Sequence, residues 1–312
     1  MSGLKPIFLE PVFHEKLWGG NCLEEEFGYA VPSGHTGECW AISAHPNGDC
    51  RVRNPEYAGM TLSRLWQTRP ELFGGGGGGE FPLLIKIIDA REDLSIQVHP
   101  DDAYAKLHEN GSLGKTECWY ILDCCEGATI IVGHHAESPE ELRAMVADGQ
   151  WGRLLREIPI HKGDFFQIDP GCPHAIKGGT LLLETQQSSD VTYRFYDYGR
   201  LENGKPRTLH LDQSLAVTRV PFQPRNEQRQ QSQEGGACVT RLVTCPYYTV
   251  YHVELDGVWE KDWQQPFVNM SVIGGQGVLD GEPVVKGNHF LLPSGYGPMT
   301  LEGKLELICS HQ

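Results

Sequence analysis

Turn-forming residues punctuate this chain so densely that long helices have little room. Its 312 residues include 37 glycines and 20 prolines, spread between short runs of β-branched, aromatic and aliphatic residues. Each Gly or Pro cluster ends one extended segment and turns the chain into the next, which favours a sandwich or barrel over a helical bundle. With 39% hydrophobic residues, the chain can fill one large core or two ordinary ones without disulfide help. The expected class is mostly β with a few short helices.

Charge narrows the partners. A formal charge of −15 argues against sequence-independent nucleic-acid binding, which needs clustered Lys and Arg to neutralise phosphates. A small anion would need locally placed cations such as Lys115 and Arg194, because the summed field of the protein repels it. The N-terminus, Met-Ser-Gly-Leu-Lys-Pro-Ile-Phe-Leu-Glu, has charges within its first apolar stretch, and no apolar run is long enough to cross a bilayer, so a cytoplasmic protein without membrane contacts is expected. Ten cysteines, with Cys124 and Cys125 adjacent and no C-x-x-C pair, form neither a zinc ribbon nor a secreted disulfide framework and are expected to be reduced.

Local signals give the layout. Leu62, Leu65 and Trp66 share a helical face, Asp101 can cap a helix over Asp102 to Leu107, and Ser138-Pro-Glu-Glu141 opens a helix carrying Leu142, Met145 and Val146. The run Gly74–Gly79 lacks the Lys-Ser/Thr ending of a phosphate-binding loop and reads as a loop tip. Phe81 to Asp89, Thr180 to Glu184 and Val191 to Arg200 read as strands, the last with Arg194, Tyr196 and Tyr198 on one face, and Asn203-Gly204 signals a hairpin turn. Residues 223–236 are polar and read as a linker. They separate a larger unit, 1–222, from a short β-unit, 237–312.

Four side chains with metal-ligand chemistry fall in strand-like settings within the larger unit. In Leu94-Ser-Ile-Gln-Val-His-Pro100, Ser95, Gln97 and His99 share a face while Leu94, Ile96 and Val98 point the other way. Glu117 opens the run Glu-Cys-Trp-Tyr-Ile-Leu, and His174 closes Gly163-Asp-Phe-Phe-Gln-Ile-Asp-Pro-Gly-Cys-Pro-His174, where Pro170-Gly171 turns the chain. Imidazoles and a carboxylate suit zinc or a neighbouring divalent ion, and few protein ligands leave a position open for substrate. Cys172 is a softer alternative ligand, whereas His14, His35, His45, His108, His134, His135, His161, His210, His252, His289 and His311 lack such context and read as surface or hydrogen-bonded residues.

The order glycine, strand, Pro-Gly, histidine in residues 163–174 resembles the second metal-binding motif of the cupin superfamily, and His99 with Glu117 resembles a degenerate first motif. Gly287 to Pro298 repeats the pattern with Pro298 where the histidine would fall. That resemblance implies two cupin-like barrels (double-stranded β-helix, or jelly roll), the second a degenerate domain without metal. Trp18-Gly-Gly20, Gly37 to Gly48, Leu94 to Pro100, Lys115-Thr-Glu117, Pro173-His-Ala175, Ser189 to Arg194 and Gly204-Lys-Pro-Arg207, in that order, resemble the short bacterial form of type I mannose-6-phosphate isomerases (phosphomannose isomerases).

The resemblance implies a zinc-dependent interconversion of mannose 6-phosphate and fructose 6-phosphate, with one Zn2+ held by His99, Glu117 and His174, Gln97 a fourth candidate, and Arg194 as the active-site arginine. Ser95 and Gln97, on the face of His99, are candidates for binding the sugar phosphate. The chemistry moves a proton from C2 to C1 through an enediol whose charge builds on oxygen, which a metal and a cation stabilise. Arg194 stays protonated and suits an electrostatic clamp, while Lys115 suits phosphate binding or, if desolvated, proton transfer. A non-catalytic cupin that binds a metal or sugar phosphate, and an isomerase for another sugar phosphate, are the alternatives; oligomeric state is not legible.

Overall fold

The computed structural model describes residues 3–76, 78–202, 204–225 and 228–312, in which strands dominate and the helices are short. The expected Asn203-Gly204 turn lies partly outside the described residues, as Asn203 does; so do Gly77 of the glycine run, Asn226 and Glu227 of the linker, and the first two residues of the N-terminus. The flanking strands Leu201–Glu202 and Lys205–Pro206 do pair antiparallel.

Three sheets carry the fold. A six-stranded sheet runs Phe165–Ile168, Glu117–Cys124, Thr180–Gln187, Leu83–Ala90, Val12–Gly20 and Thr36–Ile42. A five-stranded sheet runs Tyr193–Tyr196, Ile96–Val98, His174–Ile176, Thr129–His134 and Leu155–Pro159. Trp18, Ile88, Trp119, Ile121 and Leu182 from the first meet Ile130, Val132 and Ile176 from the second in one core. The opposite face of the six-stranded sheet, with Leu83, Ile85, Ile87, Leu181 and Leu183, packs against Leu242, Val243, Val250 and Ile308 of the nine-stranded C-terminal sheet. Covered on both sides, Leu83–Ala90 and Thr180–Gln187 are buried along their whole length, which is why neither alternates strictly between apolar and polar residues.

The two units are not laid end to end. Ile7–Glu10 pairs with His289–Leu292 of the C-terminal sheet, Leu9 facing His289, and so carries the start of the chain into its last third. At the other edge of that sheet Gln230–Glu234, within the stretch read as a linker, forms an exposed strand against Ala237–Thr244. Its polar composition excludes it from a core but not from an edge, where one row of backbone groups pairs and side chains face water.

The helices follow their caps. Asp101 accepts a hydrogen bond from the Tyr104 amide to start Asp102–His108, Ser138 does the same for Glu141 at Pro139–Ala147, and Thr61 for Arg64 at Leu62–Thr68. Leu62, Leu65 and Trp66 are buried, as are Leu142, Met145 and Val146. The strand expected over 191–200 is shorter: it spans Tyr193–Tyr196 with an irregularity between Arg194 and Tyr196, and Tyr198 has a left-handed φ of 56°. Arg194 and Tyr196 thereby part company, and the Tyr196 ring stacks on Trp151. All ten cysteines are unpaired.

Candidate active site

Strand register builds the site as two facing rows. In the five-stranded sheet Gln97 lies opposite His174 on one side and Arg194 on the other, so three neighbouring strands present these side chains abreast. In the six-stranded sheet Glu184 lies opposite both Trp119 and Lys86, and Lys86 opposite Trp40. Between the rows lies a cavity of about 470 Å³ whose wall includes Ser95, Gln97, Lys115, Arg194, Lys86 and Glu184.

At one end of that space His99, Glu117 and His174 converge, all buried, with ligand atoms within 4.8 Å of one another. His99 Nε2 is 3.4 Å from Glu117 Oε2, and His174 Nε2 is 3.3 Å from Glu117 Oε1. His99 Nδ1 donates to the Val191 carbonyl and His174 Nδ1 to the Cys172 carbonyl, both at 2.8 Å. Those bonds fix the tautomer, so each ring turns an Nε2 lone pair toward the carboxylate, the arrangement that a metal-ligating histidine needs from its surroundings. The turn before His174 is held as tightly. Gly171, at φ +82°, donates its N–H to the His99 carbonyl at 2.9 Å, and a Cβ there would fall 2.7 Å from the Val217 carbonyl oxygen.

A divalent ion fits this donor set. Glu117 Oε1 is buried without a hydrogen-bond partner among the described residues, an orphan acceptor facing an imidazole lone pair. Burial alone would raise the Glu117 carboxyl, but the Lys115 ammonium and the two imidazoles hold it well below the usual range; burial, then Lys115, takes His99 down to about 3, and burial lowers His174 as well. All three are thus in the deprotonated forms that bind a metal. Gln97 reaches the same point, its amide Nε2 lying 3.3 Å from His174 Nε2. Cys172 does not: its sulfur contacts the Pro173 carbonyl, and burial pushes its thiol up to about 12.

The expected site residues come together. Lys115 lies just before its neighbour's strand, yet its Nζ contacts Glu117 Oε2 directly and lies 3.2 Å from His99 Nε2 and 3.8 Å from Glu184 Oε1. Arg194 donates through Nη1 to the Thr208 carbonyl, while its Nε is buried with no partner among the described residues. Burial and the neighbouring Arg207 lower its affinity for its proton, yet a guanidinium keeps its charge. Ser95 is buried in the cavity wall.

Several cavity residues escape sequence reasoning. Lys86 and Glu184 are buried, 3.4 Å apart, each a charge within a fully buried strand, a signal available in Leu-Leu-Ile-Lys-Ile-Ile and Leu-Leu-Leu-Glu. Burial and then Glu117 push the Glu184 carboxyl up, while Glu184 and Glu38 more than offset burial at Lys86 and keep it charged. Glu38, held down to about 2 by Lys86 and Lys16 against its burial, accepts from Trp40 Nε1 at 2.7 Å. His14, read as an ordinary histidine, lines the same cavity against the Trp40 ring. Of the rest, His289 bonds Ser271 within the C-terminal unit and Tyr29 of the N-terminal unit, and takes no part in the His99–Glu117–His174 group.

Known proteins match this chain along its length. Residues 7–120 match the catalytic domain of phosphomannose isomerase type I, and residues 238–312 the cupin domain of mannose-6-phosphate isomerase. The mannose-6-phosphate isomerase ManA of Bacillus subtilis is 50% identical over 98% of this chain and 99% of its own length. A mannose-6-phosphate isomerase of Streptococcus mutans is 47% identical over 98% of both chains. The crystal structure of the mannose 6-phosphate isomerase from Bacillus subtilis superposes with a TM-score of 0.97 at 48% identity, covering 99% of this chain and all of that one.

Proposed function

This chain belongs to the type I mannose-6-phosphate isomerases, a family of aldose–ketose isomerases with a cupin domain, and from that premise we propose that it interconverts mannose 6-phosphate and fructose 6-phosphate using one zinc ion held by His99, Glu117 and His174. The observation that carries the metal assignment is the paired tautomer lock: two Nδ1–H groups tied to backbone carbonyls turn both Nε2 atoms onto one buried carboxylate whose Oε1 lacks a donor among the described residues. Gln97, abreast of His174, is a fourth ligand or a contact to the sugar, and Ser95 beside it contacts the substrate. When bound, the ion acts as a Lewis acid that polarises the sugar's C1 and C2 oxygens.

The remaining work falls to side chains. Proton transfer between C2 and C1 passes through an enediol, and the negative charge that builds on oxygen calls for fixed cations in a site closed to water. Arg194 supplies one, its planar fork partly unsatisfied at Nε. Lys115 touches two of the three ligands, which favours a part in proton handling at the reacting carbons over anchoring a phosphate at the far end of the substrate. Five cationic side chains line the cavity against three carboxylates, so a phosphorylated sugar meets local positive charge inside an acidic protein.

We further assign catalysis to residues 1–222 and support to the unit from 237 onward, 223–236 joining them. No described helix is long and apolar enough to cross a membrane. A cytoplasmic setting agrees with ten unpaired cysteines. The deciding experiment is a coupled assay of fructose 6-phosphate formation from mannose 6-phosphate, before and after chelation, with zinc measured in the same sample. Full turnover in chelated protein that retains no divalent ion would refute the metal assignment.

A further inference from the structure

A larger cavity opens elsewhere than the one beside His99, Glu117 and His174. About 620 Å³ of space opens against the Pro170–Cys172 turn, and it shares no wall residue with the metal cavity among the described residues. Its chemistry is two-sided. Arg156, Arg219, Arg225 and Arg229 line it, and the only carboxylate among its described lining residues is Asp169, which accepts from Arg225 Nη1 at 2.9 Å. Arg156 donates to the Val132 carbonyl at 3.4 Å and no described carboxylate pairs with it or with Arg219. The Arg156 and Arg219 guanidinium groups thus line the cavity without a described carboxylate partner, where an anion could pair with both.

The rest of the wall is mostly apolar and partly aromatic, with Gln167 and Gln223 its other described polar side chains. Phe166 and Phe222 are half-buried, and the Arg156 guanidinium lies over the Phe222 ring, 6.0 Å from its centre. Phe222 is seated by Gly133, at φ +86°, where a Cβ would come within 2.4 Å of the ring. Guanidinium forks match phosphate oxygens, and an aromatic face beside them suits a planar ring.

We propose that this cavity is a second ligand site that takes a nucleoside monophosphate, its phosphate on Arg156 and Arg219 and its base on Phe166 and Phe222. The site is separate from catalysis but borders it: the Arg219 amide donates to the Gly171 carbonyl at 2.9 Å, and the amide of Gly171 donates to the carbonyl of His99.

The test is calorimetric titration of adenosine 5′-monophosphate into the full-length, zinc-loaded protein saturated with mannose 6-phosphate, with adenosine and inorganic phosphate as separate arms. One equivalent of the nucleotide should bind despite the sugar phosphate, and each partial ligand should bind at least about tenfold more weakly. Arg156→Gln and Arg219→Gln should each weaken the nucleotide about tenfold while isomerase turnover stays within about twofold of the parent. Phe222→Leu, which keeps an apolar filler over Gly133, should weaken nucleotide and adenosine but leave phosphate binding unchanged. The proposal is overturned if the nucleotide fails to bind, if mannose 6-phosphate displaces it, or if the arginine variants bind it as the parent does.

Discussion

Residues 163–174 and 287–298 share one sequence pattern and enclose opposite interiors. Around the first, the space between the sheets holds His99, Lys115, Glu117, His174, Lys86 and Glu184, all buried. Around the second, the interior is built from Val253, Trp259, Met270, Val272, Phe290 and Leu307. Glycine, strand, and then Pro and Gly specify a turn and a strand in both places, Pro170-Gly171 in one and Pro293-Ser-Gly295 in the other; only the first delivers a histidine to a carboxylate. Scaffold and chemistry are therefore separable in this fold. The C-terminal unit spends its interior on apolar burial, and the N-terminal unit gives up part of that contribution to hold six charges or ligands in fixed positions.

The comparison breaks most visibly if the charged interior is made to resemble the apolar one. Glu117→Gln or His174→Ala should abolish zinc retention and lower turnover by roughly a thousandfold or more, the scale of losing a Lewis acid worth several kcal/mol. Metal analysis and the coupled assay on the same preparations check this, and wild-type zinc content in either variant contradicts the ligand assignment. Arg194→Ala should keep fold and zinc yet lose about two orders of magnitude in kcat/KM, and Arg194→Lys should recover only part. A raised KM with unchanged kcat assigns the guanidinium to the phosphate, whereas a fall in kcat assigns it to the enediolate.

The C-terminal unit sharpens the contrast from the other side. His289 is buried with Nε2 2.7 Å from the Tyr29 hydroxyl and Nδ1 2.9 Å from Ser271 Oγ, and burial lowers it to about 3, so it is neutral and structural. His289→Ala should cost about 2 kcal/mol by urea unfolding, through two lost hydrogen bonds and a cavity, while zinc stays at one per chain. A second tightly held ion that disappears in this variant would end the distinction between the two units. The smallest effect is expected at Ser95, which has no charge to lose: Ser95→Ala should raise KM for mannose 6-phosphate about threefold, the size of one neutral hydrogen bond, and leave kcat near its original value.

Much of the site is legible in the sequence. The period-2 reading placed Ser95, Gln97 and His99 on one face because a strand permits nothing else, and Pro170-Gly171 announced a turn that the left-handed φ of Gly171 and its bond to His99 explain. What escaped was long-range pairing. Lys86 and Glu184 lie about a hundred residues apart, and only the register of Leu83–Ala90 against Thr180–Gln187 puts them side by side in the cavity. Gln230–Glu234 escaped for the opposite reason: an exposed edge strand needs no apolar side, so its composition resembles a loop. The break between Arg194 and Tyr196 is likewise a property of pairing with Ile96–Val98, which a single strand's sequence does not encode.

Ile7–Glu10 has a consequence for how the molecule is made. It pairs with Arg51–Val52 on one side, but its other partner, His289–Leu292, is among the last strands to be synthesised, so that side of the N-terminal segment leaves the ribosome long before its partner does. Ile7 and Leu9, buried in the finished protein, gain that full burial only once the late strand is in place. Closing the chain's two ends onto one sheet raises contact order and slows folding, and it makes completion of the C-terminal unit a precondition for covering the back of the catalytic sheet. The C-terminal unit is in this sense the enzyme's clasp: a chain arrested before residue 289 contains His99, Glu117 and His174 but leaves its first strand paired on one side only.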